Sequence, residues 1–213
     1  MKVYEDLIQG TDEWLELRKG KATASEFAKI VTPTGLASKS AVGYMQEMAT
    51  ESVIANPMGF AGSKATDWGH DHEGEARAHF EINTGLITQE VGFCISDFSP
   101  FVANSPDALI IGDDGEYNSG LEIKCPFNVN NHVSYLLTGE VPPKYKLQVH
   151  GSMVVAGFDS WHFMSYFPGL KPLIIKVERD EFTEKVEAAL KAFAIKYAEK
   201  RPQIIKAITP ETK

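Results

Sequence analysis

The chain has 213 residues, 43% of them hydrophobic, which suits a single domain over residues 1–213 with a core of its own. Its 21 basic and 29 acidic residues leave a net charge of −8, which excludes a broad non-specific coat on nucleic acid. It does not exclude a cleft with its own local field, or a site that recruits divalent cations. With no run of about 18 apolar residues, no apolar leader after Met1 and only two cysteines, Cys94 and Cys125, the expectation is a cytoplasmic protein without a membrane span, disulfide framework or zinc site.

In chain order, the first part reads as helical. Thr11 precedes Asp12, Glu13 and Trp14 as an N-cap with acids in the first turn. Thr23-Ala24-Ser25-Glu26 has the form of a capping box and predicts a helix through Phe27, Ile30 and Val31. Residues 32–35 and 56–63 read as loops too short to be linkers. Between them Val42, Met45, Met48, Ala49, Ser52 and Val53 recur at helical spacing. A further helix is expected from Trp68 to Asn83, with Gly85 as its C-terminal stop. The middle changes character: 86–95, 101–103, 108–111 and 121–125 are apolar runs that read as strands, with Asp113-Asp114-Gly115 a turn. A helix follows Pro142-Pro143, through Tyr145, Leu147, Gln148, Met153 and Val154. Residues 161–167 and 173–177 read as strands. Phe182, Val186, Ala189, Leu190, Phe193 and Tyr197 then share one face of a last helix. This order predicts an α/β (α+β) fold with a mixed sheet.

The chemistry-bearing signal is Ser105-Pro106-Asp107 followed, fifteen residues after the aspartate, by Glu122-Ile123-Lys124. On a strand Glu122 and Lys124 project to one side, while Ile123 points to the other and leaves its carbonyl free to face the same edge. A lone Glu-x-Lys is usually a solvated strand face. Here Leu121, Ile123 and Cys125 suggest a buried strand, where a glutamate and a lysine need a reason. Two carboxylates and a carbonyl suit Mg²⁺, which takes hard oxygen ligands. An adjacent ammonium suits a water or a developing negative charge on phosphate.

The resemblance carried by these residues is to the phage lambda exonuclease family. Gln9 to Trp14, Leu17-Arg18-Lys19-Gly20 and Thr23 to Glu26 resemble its opening block. Trp68-Gly69 with Glu73 and Ala76-Arg77, then Ser105-Pro106-Asp107, Leu121 to Phe127, Tyr145, Gln148, Trp161 and Glu178-Arg179-Asp180 follow in the same order. Few matches fall between Pro33 and Lys64, and Ala108 stands where glycine is commoner. The resemblance implies a central mixed sheet flanked by helices, a restriction-endonuclease-like core within the Pro-Asp…Asp/Glu-x-Lys nucleases. It also implies 5′-to-3′ digestion of duplex DNA to 5′-mononucleotides, a ring-shaped homotrimer, a single-strand annealing partner, and a prophage-encoded protein of the bacterial cytoplasm. By position, Asp107, Glu122 and the Ile123 carbonyl would hold Mg²⁺, with Mn²⁺ a possible substitute. Lys124 would orient the attacking water, Glu73 would complete the acidic side, and Gln148 and Tyr145 would line the pocket.

Arg18 and Ser25 allow two readings: a surface arginine beside an ordinary capped helix, or an anion pocket at a helix start. The residues alone favour the first; the resemblance assigns the pocket to the 5′-terminal phosphate. Glu73 and Arg77 could form a routine i,i+4 pair. Because Ala76 and Phe80 share much of that helix face, Glu73 is expected to point inward instead. His70, His72 and His79 are expected at the surface and not around a metal. An endonuclease with the same metal core and a catalytically silent DNA-end-binding scaffold are the alternatives. Arg18 and Ser25 speak against the first, and the intact Asp107, Glu122 and Lys124 against the second.

Overall fold

The structure is a computed structural model that describes residues 1–54 and 64–210. The predicted loop at 56–63 lies outside the described residues. The N-terminal elements are β1 (Lys2–Tyr4), α1 (Asp12–Arg18), β2 (Ala22–Thr23), a 3-10 helix (Ala24–Lys29) and α2 (Ala41–Glu51). Then come α3 (Lys64–Thr84), β3 (Ile87–Gln89), β4 (Phe93–Ile95), β5 (Val102–Asn104), β6 (Ala108–Ile111) and β7 (Tyr117–Lys124). The chain closes with α4 (Val129–Thr138), α5 (Pro143–Ala156), β8 (Ser160–Ser165), β9 (Leu173–Glu178) and α6 (Glu181–Ile208). Among the described residues no helix is long and apolar enough to cross a membrane.

The strands form two mixed sheets, where one central sheet was expected. A four-stranded sheet runs β1-β4-β5-β2 and a five-stranded sheet runs β3-β6-β7-β8-β9. In the larger sheet β7 and β8 are parallel, joined by a crossover through α4 and α5, and the other pairs are antiparallel. Residues 86–95 do not form one strand. They give β3 to the larger sheet and β4 to the smaller, so the break near Val91-Gly92 is where the chain changes sheets.

Apolar alternation on β7 sorts its neighbours. Leu121 and Ile123 pack with Ala76 and Phe80 of α3, alongside Ala108, Ile110 and Met164. The opposite side faces α5, where Leu147, Val149, Met153 and Val154 join Trp161, Phe163 and the α6 residues Val186, Leu190 and Phe193. From Val149 to Ala156 every residue of α5 is buried, so this helix is covered on all sides. In α2, Tyr44, Met45, Met48 and Ala49 are buried, whereas Val42 faces solvent and Val53 lies exposed past the helix end.

The local signals fare unequally. Thr11 caps α1, its Oγ1 accepting from the Trp14 amide at 3.3 Å, and Gly85 stops α3 at φ +71°. The Thr23 capping box does not form. Thr23 makes no side-chain cap bond and the segment winds as a short 3-10 helix, with Phe27 and Ile30 buried in the core. A cap is worth roughly 1 kcal/mol, less than burying a phenylalanine and an isoleucine. Asp180 supplies the box that does form, accepting from the Thr183 amide at 2.9 Å at the start of α6.

Candidate active site

The turn before β6 and the end of β7 place the acids. Asp107 Oδ2 accepts a 2.5 Å hydrogen bond from the backbone N–H of Ile123, which pins the aspartate against the strand carrying Glu122 and Lys124. The turn itself is held by residues from the N-terminal block. Gln9 Nε2 donates to the carbonyls of Val91 and Pro106 at 3.1 and 3.0 Å. Trp14 Nε1 donates to the Gly92 carbonyl and to Ser105 Oγ, both at 3.1 Å.

Glu122 is buried, 1% exposed, and Lys124 forms an ion pair with its carboxylate. Gln148, reaching from α5, donates Nε2 to Glu122 Oε1 at 2.5 Å. Ile123 is buried in the α3-side cluster. Glu73, Asp107, Ile123, Lys124 and Tyr145 line one cavity of about 500 Å³. Glu73 faces this cavity, and Arg77 pairs with Glu90 at 2.7 Å. Neither Glu122 nor Gln148 lines this cavity, and Gln148 reaches the site through its hydrogen bond to Glu122.

Burial dominates the electrostatics. Desolvation pushes the carboxyls of Glu73, Asp107 and Glu122 above their ordinary values, and the Asp107 charge pushes Glu73 and Glu122 further up. Burial alone would lower Lys124, but the charges of Glu122 and Asp107 outweigh it and hold the ammonium protonated. Three buried carboxyls beside one ammonium thus resist ionising together, and a cation among them would favour their charged forms. The all-oxygen donor set fits a hard divalent cation. Among the described residues no three His, Cys, Asp or Glu side chains close into a metal cage. Mg²⁺ commonly uses only one or two carboxylates, with water and phosphate filling the rest.

Arg18 and Ser25 are brought together, Arg18 Nη2 donating to Ser25 Oγ at 3.3 Å, but neither lines the cavity. The helix-start argument for this pair is corrected, because the six-residue 3-10 helix has no formed cap. Of the histidines, His72 Nδ1 lies 3.4 Å from the Glu75 carboxylate, His79 packs on Tyr166, and His70 lines the cavity. The sequence reading missed His70, Phe127, Asn131 and Lys144 in the cavity wall. For Lys144 the only sequence signal was its place beside Tyr145, and its Nζ lies 4.6 Å from that ring's centroid.

Helices around mixed sheets that bring an aspartate, a glutamate and a lysine to one strand end define the class: nucleases of the Pro-Asp…Glu-x-Lys type. Residues 13–159 match the YqaJ-like viral recombinase domain, and the chain belongs to that family, a family of nucleases. No curated protein matches the chain. Among solved structures it is similar to an alkaline exonuclease from Laribacter hongkongensis. The two share 29% identity at a TM-score of 0.71, over 92% of this chain and 100% of that one. The same values hold for that enzyme in complex with dAMP. A phage related exonuclease from Haemophilus somnus 129PT, 17% identical at a TM-score of 0.65 over 89% of this chain and 96% of that one, shares the fold.

Proposed function

We propose that this chain, acting as one nuclease domain, is a Mg²⁺-dependent 5′-to-3′ exonuclease on double-stranded DNA. It digests one strand processively to 5′-mononucleotides and leaves 3′ overhangs for recombination by single-strand annealing. The observation that carries this reading is the convergence of Asp107, Glu122 and Lys124 at the end of β7, beside a cavity large enough for a nucleotide. The likeness to an alkaline exonuclease over nearly the whole chain supports it.

In this reading Asp107, Glu122 and the Ile123 carbonyl hold the cation, with Mn²⁺ a substitute. When bound, the cation supplies Lewis acidity toward the phosphoryl oxygens and lowers the pKa of a bound water. Gln148 fixes the Glu122 carboxylate through its amide hydrogen bond. Lys124, held as an ammonium by its two acidic neighbours, donates and does not act as a base. It orients the attacking water and offsets charge gathering on the phosphoryl oxygens. Water adds to phosphorus and gives up a proton as the bond to the 3′ oxygen breaks and that oxygen takes one up, so the terminal nucleotide departs with a 3′ hydroxyl and the scissile phosphate stays on the new 5′ end of the strand. Glu73 completes the acidic wall, Tyr145 lines it, and Arg18 with Ser25 receives the 5′-terminal phosphate. A ring-shaped homotrimer, an annealing partner and action in the bacterial cytoplasm belong to the same proposal.

The test is linear duplex DNA labelled at one 5′ end, with Mg²⁺, with and without chelator. Release of labelled mononucleotide that the chelator stops is expected. Long internal fragments would indicate an endonuclease, and intact DNA a binding scaffold. Lys124→Ala should lower turnover by at least a hundredfold, about 2.7 kcal/mol of transition-state stabilisation, while gel-shift affinity for the duplex persists. Turnover at the unsubstituted rate would remove Lys124 from the chemistry.

A further inference from the structure

Phe127 stands three residues past Lys124, after Pro126, and lines the same cavity with its side chain 57% exposed. Burial in a core does not account for it, yet the ring has an aromatic partner. It sits edge-on to Trp68, with centroids 5.9 Å apart and planes 84° apart. Trp68 is braced in turn by His72 at 4.1 Å and Phe167 at 5.6 Å. An aromatic surface is thus held at a cavity that Tyr145 also lines and that presents Asn128, Asn131, Lys124 and Lys144 as polar and charged groups.

This mixture suits a molecule with an anionic part and a flat π surface, and a nucleotide has both. We propose that Phe127 is the base-stacking residue of the site: its ring carries the nucleobase of the nucleotide held in the cavity beside Asp107, Glu122 and Lys124. The proposal rests on the nuclease reading and adds how the reacting nucleotide is oriented. Stacking on one aromatic face tolerates every base, because every base has a π surface. It would therefore position the nucleotide without imposing a sequence. Perpendicular contact with Trp68 sets the plane of the platform, and two χ angles leave little rotamer freedom to lose on binding.

The probe is 2-aminopurine deoxyribonucleoside 5′-monophosphate, whose fluorescence falls on stacking, titrated in Mg²⁺ against the whole chain. Saturable quenching is expected. Phe127→Leu, which keeps an apolar contact with Trp68 but loses the π face, should weaken binding about tenfold and abolish the quench. Phe127→Trp should retain both. Deoxyribose 5-phosphate, which has no base, should bind the unsubstituted chain and Phe127→Leu alike by calorimetry. The proposal is overturned by absence of quenching in the unsubstituted chain, by equal nucleotide affinity in Phe127→Leu, or by an equal loss for the sugar phosphate, which would mark a merely structural residue. Stacking without any release of mononucleotide from duplex DNA would leave this inference standing and sink the exonuclease reading, so the two fail separately.

Discussion

Arg18 carries a guanidinium over the Trp14 ring, 4.9 Å from its centroid, with Ser25 Oγ at hydrogen-bond distance. It is half-buried, and desolvation lowers its pKa against the opposing pull of Tyr44, Glu26 and Glu51. Arginine stays charged even so, and a partly desolvated charge gains from an anion in direct contact. A terminal phosphate matches the guanidinium fork. Hydrolysis of 5′-phosphorylated ends is therefore expected to outpace that of 5′-hydroxyl ends. Arg18→Lys, which keeps the charge but loses the fork, should cut the ratio roughly tenfold, equivalent to about 1.4 kcal/mol. Equal rates on the two ends would remove the phosphate pocket and leave the assignment of Asp107, Glu122 and Lys124 untouched.

At the scale of elements, β7 positions the chemistry and its packing is intolerant of added atoms. A Cβ at Gly120 would lie 2.3 Å from the Trp161 indole, which is itself fully buried between β8 and the α5 side. Gly120→Ala should therefore destabilise the fold by about 1–3 kcal/mol through overpacking. Its strand register two residues before Glu122 should suffer with it. A urea midpoint unchanged from that of the unsubstituted chain would contradict this. Elements with strong internal periodicity were legible in the sequence: α3, α6 and the alternation that puts Glu122 and Lys124 on one side of β7. Elements decided by distant partners were not. Nothing in residues 86–95 marks which half joins which sheet, and β1 is a three-residue strand recognisable only once β4 lies beside it. Helix α4 was also missed, and buried His132 ties it down through Ser165 Oγ at 2.8 Å and the Lys171 carbonyl at 3.0 Å. The same distinction holds within the site. Asp107, Glu122 and Lys124 follow from a turn and a strand, whereas Lys144 reaches the cavity only because α5 docks where it does.

For the molecule as a whole, opposing terms act on stability in mild acid. Lowering pH from neutrality protonates the buried Glu73 and Glu122, whose raised pKa values make that step favour the fold, and shrinks the net charge of −8, which relaxes self-repulsion. Buried histidines act the other way. His162 lies where α3, β7, β8 and β9 meet. Its ring is edge-on to Phe80, its Nδ1 lies 3.3 Å from Ser119 Oγ, and Lys176 and Glu178 are the charges facing it from β9. Burial, reinforced by the Lys176 charge, lowers its pKa from 6.5 to about 4. The fold thus keeps a neutral imidazole, while the unfolded chain binds a proton below about 6.5. Its stabilising effect is complete above that value and is lost as pH falls toward 4, amounting to at most about 3.5 kcal/mol at about 1.4 kcal/mol per pKa unit, less what residual solvent screens. His150, lowered mainly by burial, adds in the same direction. His162→Asn should remove the largest part, so urea stability measured between pH 7 and pH 4.5 should fall less steeply in the variant than in the unsubstituted chain. Parallel curves would mean that His162 is solvated or protonated in the fold, and that the junction of α3 with the five-stranded sheet is wetter than its packing implies.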